Sequence, residues 1–273
     1  MADGPAGPGG AAAPDAVPGP AGPGGAAAQE AVTDYRVVSV IVPVFDERNT
    51  VGEVIRRMRR VEVPLQVEII VVDDGSTDGT DKVLAAIEDS TVQMVRHKTN
   101  SGKGAAIRTG LARARGDVIL IQDADLEYDP RDWPRLLDPI LRGDSRVVYG
   151  TRTGAKGQSP SLRHQVSSRL LSFLTAALYD TALADMLTGY KVFDRRVLDD
   201  ITLAADDFGF ESEFTAKVLR NGHHIHEVPV SYVPRGRSEN RKFTWADGVR
   251  VSWILVRCRW PRTGDRPARQ VVR

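Results

Sequence analysis

The chain has 273 residues, with 37 Lys and Arg against 36 Asp and Glu, and a single cysteine. A net charge of +1 gives no electrostatic ground for a nucleic-acid partner; Cys258 alone cannot close an internal disulfide and fits a reducing cytoplasm, and no Cys and His set has zinc-ligand spacing. Eighteen uninterrupted apolar residues occur nowhere, so no membrane-spanning helix is predicted and any membrane contact should be peripheral.

Residues 1–30 contain 24 Ala, Gly or Pro, with no apolar run and no basic start. Such a stretch can neither bury a core nor serve as a signal peptide, so residues 1–34 are expected to form a disordered tail. From Val37 onward apolar strands alternate with helical patterns, the mark of an α/β domain with a mostly parallel sheet flanked by helices. Val37 to Val44 is a strand with Pro43 near its end, and Asn49-Thr50 caps a helix to about Arg60. Val67 to Val72 is the second strand; the turn Asp73 to Thr80 follows, with Thr77 or Thr80 as cap for a helix over Asp81 to Glu88. A third strand covers Val92 to His97, the turn Asn100 to Gly104 feeds a helix from Ala105 to Ala114, and a fourth strand covers Asp117 to Gln122. Ligands of such sheets gather outside the carboxyl ends of the strands, so three loops rich in Asp, Gly and Lys should face one crevice.

The fourth strand runs into Asp123, Asp125 and Glu127. Alternation alone would put three carboxylates on one side, and carboxylate oxygens are what hard divalent cations prefer; a solvated acidic loop is the bland alternative. Gly102-Lys103-Gly104 resembles a fragment of a phosphate cradle but lacks Walker spacing, and no G-x-G-x-x-G follows the first strand, which argues against a dinucleotide-dependent oxidoreductase. A nucleotide diphosphate with a cation remains. Two basic groups come later: Arg152 with Arg163, ahead of a helix over Gln165 to Tyr179, and Pro234 to Lys242, which also reads as a solvated charge run. Glu211 and Glu213 open a helix whose dipole they complement; capping accounts for them as well as a contact to a donor sugar or to Arg152 does. His223, His224 and His226 read as surface or packing residues. Trp245, Val249, Ser252, Trp253, Val256 and Trp260 fall on one helical stripe with Arg250 and Arg257 at its flank, and packing onto the domain is preferred to a bilayer contact.

Taken in order, Ser39 to Glu47, Val71 to Thr80, Gly102 to Ala106, Asp123-Ala124-Asp125 and Gly150-Thr151-Arg152 resemble the inverting family 2 glycosyltransferases. Asp185 to Lys191 and Glu227 to Tyr232 are similar to the branch that acts on dolichyl or polyprenyl phosphate. The likeness spans about residues 37–250. It implies a GT-A fold, a nucleotide-sugar donor, Mg²⁺ or Mn²⁺ and a lipid phosphate acceptor. By motif position it implies a nucleotide site at Pro43, Phe45, Glu47, Asp74, Lys103 and Asp123, with Asp125 as metal ligand and Glu127 as a second. Arg152 and Arg163 would hold the acceptor phosphate, and Arg235, Arg237 and Lys242 would close over the donor diphosphate. The chain then divides into a nucleotide half over 35–150, an acceptor half over 151–262 and a flexible end over 263–273. Mannose from GDP-mannose is the favoured donor, then glucose from UDP-glucose; a saccharide or small acceptor, or a non-catalytic binding subunit, are the alternatives. The expected place is cytoplasmic, at the inner face of a membrane, by surface contact or through a membrane partner.

Overall fold

The structure is a computed structural model and describes residues 34–152, 162–207, 209–235 and 245–260, the side chains of 162–170 and 245–247 excepted. The expected tails over 1–34 and 263–273 lie outside these residues except for Asp34. Seven strands form one sheet: β1 (Val37–Val44), β2 (Gln66–Asp73), β3 (Val92–Arg96), β4 (Val118–Ile121), β5 (Val147–Thr151), β6 (Lys191–Asp194) and β7 (Ile225–Pro229). Their order is β3-β2-β1-β4-β6-β5-β7. Every pairing is parallel except the two made by β6, which runs against β4 and β5.

Period-two alternation on β1 divides the core. Val38, Val40, Val42 and Val44 meet α1 (Val51–Met58) and α4 (Trp133–Leu141) through Val54, Ile55, Met58, Trp133, Leu136 and Ile140. Ile41 faces the other layer, where Ile70, Val72, Ile119, Ile121 and Phe193 bury α3 (Lys103–Leu111), α6 (Gly209–Arg220) and α7 (Trp245–Arg259) through Ile107, Phe210, Phe214 and Leu255. Two further helices are α2 (Thr80–Ala85) and α5 (Leu162–Tyr179). Among the described residues no helix is long and apolar enough to cross a membrane.

Several boundaries differ from the sequence reading. Helix α2 is capped by Gly79 at φ 100° and not by a threonine; Thr80 instead donates from Oγ1 to Asp78 at 2.6 Å. Helix α3 begins at Lys103, two residues early, because Gly102 at φ 98° turns the chain and Asp206 receives the Ala105 N–H at 2.9 Å. Gly102 and Gly104 both lie under the backbone of Ala205 and Asp206, where a Cβ would collide. Close packing of that segment accounts for these glycines without a phosphate. Helix α5 starts at Leu162, so Arg163 sits in its first turn and not before it. On α7 the preferred packing of the tryptophan stripe is overturned: Val251, Leu255 and Cys258 face the core, while Val249, Trp253, Val256 and Trp260 are exposed.

Candidate active site

The carboxyl ends of β1, β2 and β4 meet at one edge of the sheet. At the end of β1, Pro43 is half-buried, Val44 is the last buried residue and Phe45 is exposed. Asp46 turns the chain at φ 54° and accepts the Thr77 N–H at 2.8 Å, which locks the β1 loop to the β2 loop. Glu47 accepts from Thr50 Oγ1 at 2.6 Å and pairs with Arg235 Nη2 at 2.5 Å. Asp74 is buried and fully engaged: it accepts the N–H groups of Ser101 at 2.9 Å and Gly102 at 2.7 Å, and its Oδ1 lies 2.6 Å from His97 Nδ1. Asp74 thus fixes the loop that delivers Lys103.

Lys103 projects from the first turn of α3 to Asp123 at 2.8 Å and Glu211 at 3.0 Å. Burial disfavours its charge, but Asp123 and then Glu211 outweigh that and hold the ammonium above the ordinary lysine value. Glu211 therefore faces Lys103 and not Arg152, and its Oε2 is buried without a hydrogen bond. Glu213 accepts the N–H groups of Ala204 and Ala205 and pairs with Lys217, a structural role. Asp123 lies so close to Gly189 that any side chain there would displace it.

The three acids do not share one strand face, because β4 ends at Ile121 and Leu126 turns the chain at φ 63°. Asp123 goes to Lys103. Glu127 accepts from Tyr232 Oη at 2.9 Å and from the Arg235 N–H at 2.9 Å. Asp125 lies between them; burial first, then Asp123 and Glu127, push its carboxyl up to about 7, against the Arg235 guanidinium 3.8 Å away. Among the described residues no group of three His, Cys, Asp or Glu side chains converges into a metal cage by itself. One or two carboxylates with room for ligand oxygens is the pattern Mg²⁺ favours.

Arg152, at the end of β5, gives both arms of its fork to Asp185 at 2.6 and 2.7 Å and stacks 5.3 Å from the Tyr232 ring centroid. Asp185 is held in turn: its N–H and that of Ala184 donate to Glu227 on β7 at 2.9 and 2.8 Å. Arg163 lies in α5 with its side chain outside the described residues, and Arg237 and Lys242 fall outside them altogether. The sequence reading gave no role to Asp185, Tyr232 or Lys191. A usable signal existed, since Asp185 and Lys191 are charged residues flanking the uncharged run Met186 to Tyr190, and both are buried.

A family model described as glycosyl transferase family 2 matches residues 39–202. The polyprenol monophosphomannose synthase of Mycolicibacterium smegmatis is 31% identical over 207 residues, which cover 72% of this chain and 77% of that protein. The glycosyltransferase AglJ of Haloferax volcanii is 29% identical over 199 residues, 72% of this chain; the chain spans 63% of AglJ's length. Among solved structures, glucosyl-3-phosphoglycerate synthase from Mycobacterium tuberculosis with Mn²⁺, uridine diphosphate and phosphoglyceric acid superposes with a TM-score of 0.65 at 25% identity, covering 84% of this chain and 81% of that one. With its mixed, mostly parallel sheet and an acid-lined mouth at the strand ends, the chain has a GT-A fold and belongs to glycosyl transferase family 2, an enzyme family of glycosyltransferases.

Proposed function

We propose that the enzyme transfers a hexose, with inversion, from a nucleotide-sugar to a polyprenyl phosphate. The observation that carries this reading is one mouth in which the acids Asp125 and Glu127 meet Arg235, and Tyr232, bonded to Glu127, stacks against Arg152 on the side away from them. The acid set fits a divalent ion: Asp125 is a crowded carboxyl that a cation would relieve, and a guanidinium already stands beside it. Asp125, with Glu127 as the second ligand, would hold Mg²⁺ or Mn²⁺, which supplies neutralising charge for the leaving diphosphate.

The chain's own residues do the rest. Phe45 is exposed where a base can stack, and Pro43 and Glu47 sit beside it. Asp74 fixes the loop before Lys103, and Lys103 orients Asp123 toward the nucleotide. A phosphate acceptor is already an anion, so it requires positioning more than a strong base, and holding two reactants in line is worth up to ~7–11 kcal/mol. Arg152 and Arg163 are assigned to that acceptor, and Arg235, Arg237 and Lys242 to the closing rim. With Arg152 committed to Asp185, the phosphate falls chiefly to Arg163.

Mannose from a guanosine donor leads because a relative of which the chain covers 77% is named polyprenol monophosphomannose synthase. A second reading, a uridine donor and a small phosphorylated acceptor, is favoured by the structural neighbour with uridine diphosphate and phosphoglyceric acid. The test offers GDP-mannose and UDP-glucose, each with polyprenyl phosphate or with 3-phosphoglycerate, in Mg²⁺ or Mn²⁺. Sugar appearing on the lipid supports the first reading; sugar only on phosphoglycerate replaces it with the second.

A further inference from the structure

Helix α7 has two apolar faces. One carries Val251, Leu255 and Cys258 into the core. The other carries Val249, Trp253 and Val256, which at 3.6 residues per turn fall within about 60° of one another on the opposite side, and Trp260, the first residue past the helix end, continues the same period. These four side chains are 59, 56, 41 and 62% exposed. Leaving two tryptophans and two valines in water on one stripe is unfavourable, and scattered surface apolar residues do not explain a stripe.

The flanks carry arginines, of which Arg250 is already paired with Asp207 and Arg259 donates to the Leu178 carbonyl at 2.7 Å while keeping its charge. Arg250 and Arg257 lie at one edge of the stripe and Arg259 at the other, each about 90° from its centre by the helical period. Arg257 stacks on Trp253 with its guanidinium 5.0 Å from the ring centroid. Trp in the middle with arginines at both edges is how an in-plane helix meets a membrane interface, its apolar side chains among the acyl chains and its cations level with lipid phosphates.

We propose that the outer face of α7 docks on the surface of an anionic bilayer. A second copy of the chain is the poorer occupant on area. An aromatic side chain buries roughly 150–250 Å² in full, so four side chains about half exposed offer on the order of 400 Å², against about 800 Å² per partner in a stable protein interface. The surface stands on these exposures alone; its service to the acceptor rests on the polyprenyl phosphate reading. Arg235 stands in the acidic mouth ten residues before Trp245, and Arg250 pairs at 2.6 Å with Asp207, whose neighbour Asp206 covers the start of α3. A bilayer touching α7 is thus near the elements that form the mouth.

The test is co-sedimentation of the full chain with vesicles of phosphatidylcholine and phosphatidylglycerol that contain no polyprenyl phosphate, with tryptophan emission recorded in parallel. The protein should pellet with these vesicles, bind pure phosphatidylcholine at least several-fold more weakly, and shift its emission to the blue. Trp253→Ser with Trp260→Ser should weaken binding at least tenfold, and Val249→Ser with Val256→Ser should weaken it too; both pairs change exposed residues, so the melting temperature should hold. The proposal fails if the protein stays in the supernatant, if the double variants pellet like the parent, or if sedimentation velocity shows dimers that the tryptophan pair dissolves. Vesicle binding without sugar transfer to polyprenyl phosphate would leave the surface intact and remove the acceptor reading instead.

Discussion

Two cations, Arg235 in the mouth and Lys191 in the core, allow tests at the level of single residues. Arg235 stands where a metal would be most useful, against Glu47 and Asp125, with its backbone N–H on Glu127. Removing it leaves these acids without their cation, so Arg235→Ala should bind Mn²⁺ more tightly in the absence of nucleotide, by roughly three- to tenfold if the competing pair is worth ~1 kcal/mol. Calorimetric titration with Mn²⁺ alone reads this, and equal or weaker affinity would show that the guanidinium does not compete. Lys191 is the second cation. It is fully buried, donates to the carbonyls of Thr188 at 2.5 Å and Met186 at 3.4 Å, and lies 4.1 Å from the Tyr149 ring centroid. Burial brings its ammonium down to about 7; Glu211 and Asp185 oppose this, while Lys103 and Arg152 add to it. The folded value is below the unfolded one of 10.5, so between them the unfolded chain binds more protons and stability rises with pH. That gain is complete above the unfolded value and lost as pH falls through the folded one. Lys191→Met removes the titration. Urea unfolding at about pH 6.5 and 9.5 should then show parent stability gaining on the variant by on the order of 1–3 kcal/mol; parallel profiles would mean Lys191 titrates normally.

Among the elements, the strands were legible because β1, β2 and β4 are apolar runs that only a covered sheet accommodates. The helix starts were less so. Which residue caps α2, and where α3 begins, depend on Asp78, Ala205 and Asp206, and for α3 these are partners about a hundred residues away that no local pattern contains. The same distance hid part of the site. Lys103, Asp123 and Asp125 stand out by motif, but that Asp74 is spent on the Ser101 and Gly102 amides, or that Arg152 is spent on Asp185, is tertiary information. On α7 the periodicity gave the stripe, yet either face of a doubly apolar helix could have been the buried one. Gly104 provides a test of the α3 packing. At an ordinary helical position Ala is better than Gly by ~1 kcal/mol, but here a Cβ would run into the Ala205 carbonyl and lie 3.0 Å from the Asp206 carbonyl carbon. Overpacking of this kind costs ~1–3 kcal/mol, so Gly104→Ala should lower the melting temperature and weaken nucleotide binding through Lys103. A more stable variant would show that the 205–206 segment yields freely.

Across the whole molecule, a chain of polar contacts runs from β7 to the acidic mouth: Glu227 to the Ala184 and Asp185 amides, Asp185 to Arg152, Arg152 to the Tyr232 ring, Tyr232 to Glu127. It ties residues after β5 to Glu127 in the acidic mouth, and it makes the two arginines proposed for the acceptor unequal. Arg152 is a partner in a buried ion pair, and removing one member of such a pair costs ~3–5 kcal/mol because the other charge is left uncompensated. Arg152→Ala should therefore lose stability and both substrates together, which is uninformative about the acceptor. Arg163, in the first turn of α5, is the sharper probe. A charged hydrogen bond to a phosphate is worth ~1.5–3 kcal/mol, so Arg163→Ala should lower kcat/KM for polyprenyl phosphate by roughly ten- to a hundredfold. Nucleotide affinity by calorimetry and the melting temperature should stay at parent values. Lysine at 163 should restore only part of the rate, since a point charge cannot reproduce the paired contacts of a planar fork. Parent-like transfer by Arg163→Ala, or a loss of nucleotide binding in its place, would move the acceptor phosphate away from α5 and favour the reading with a small phosphorylated acceptor.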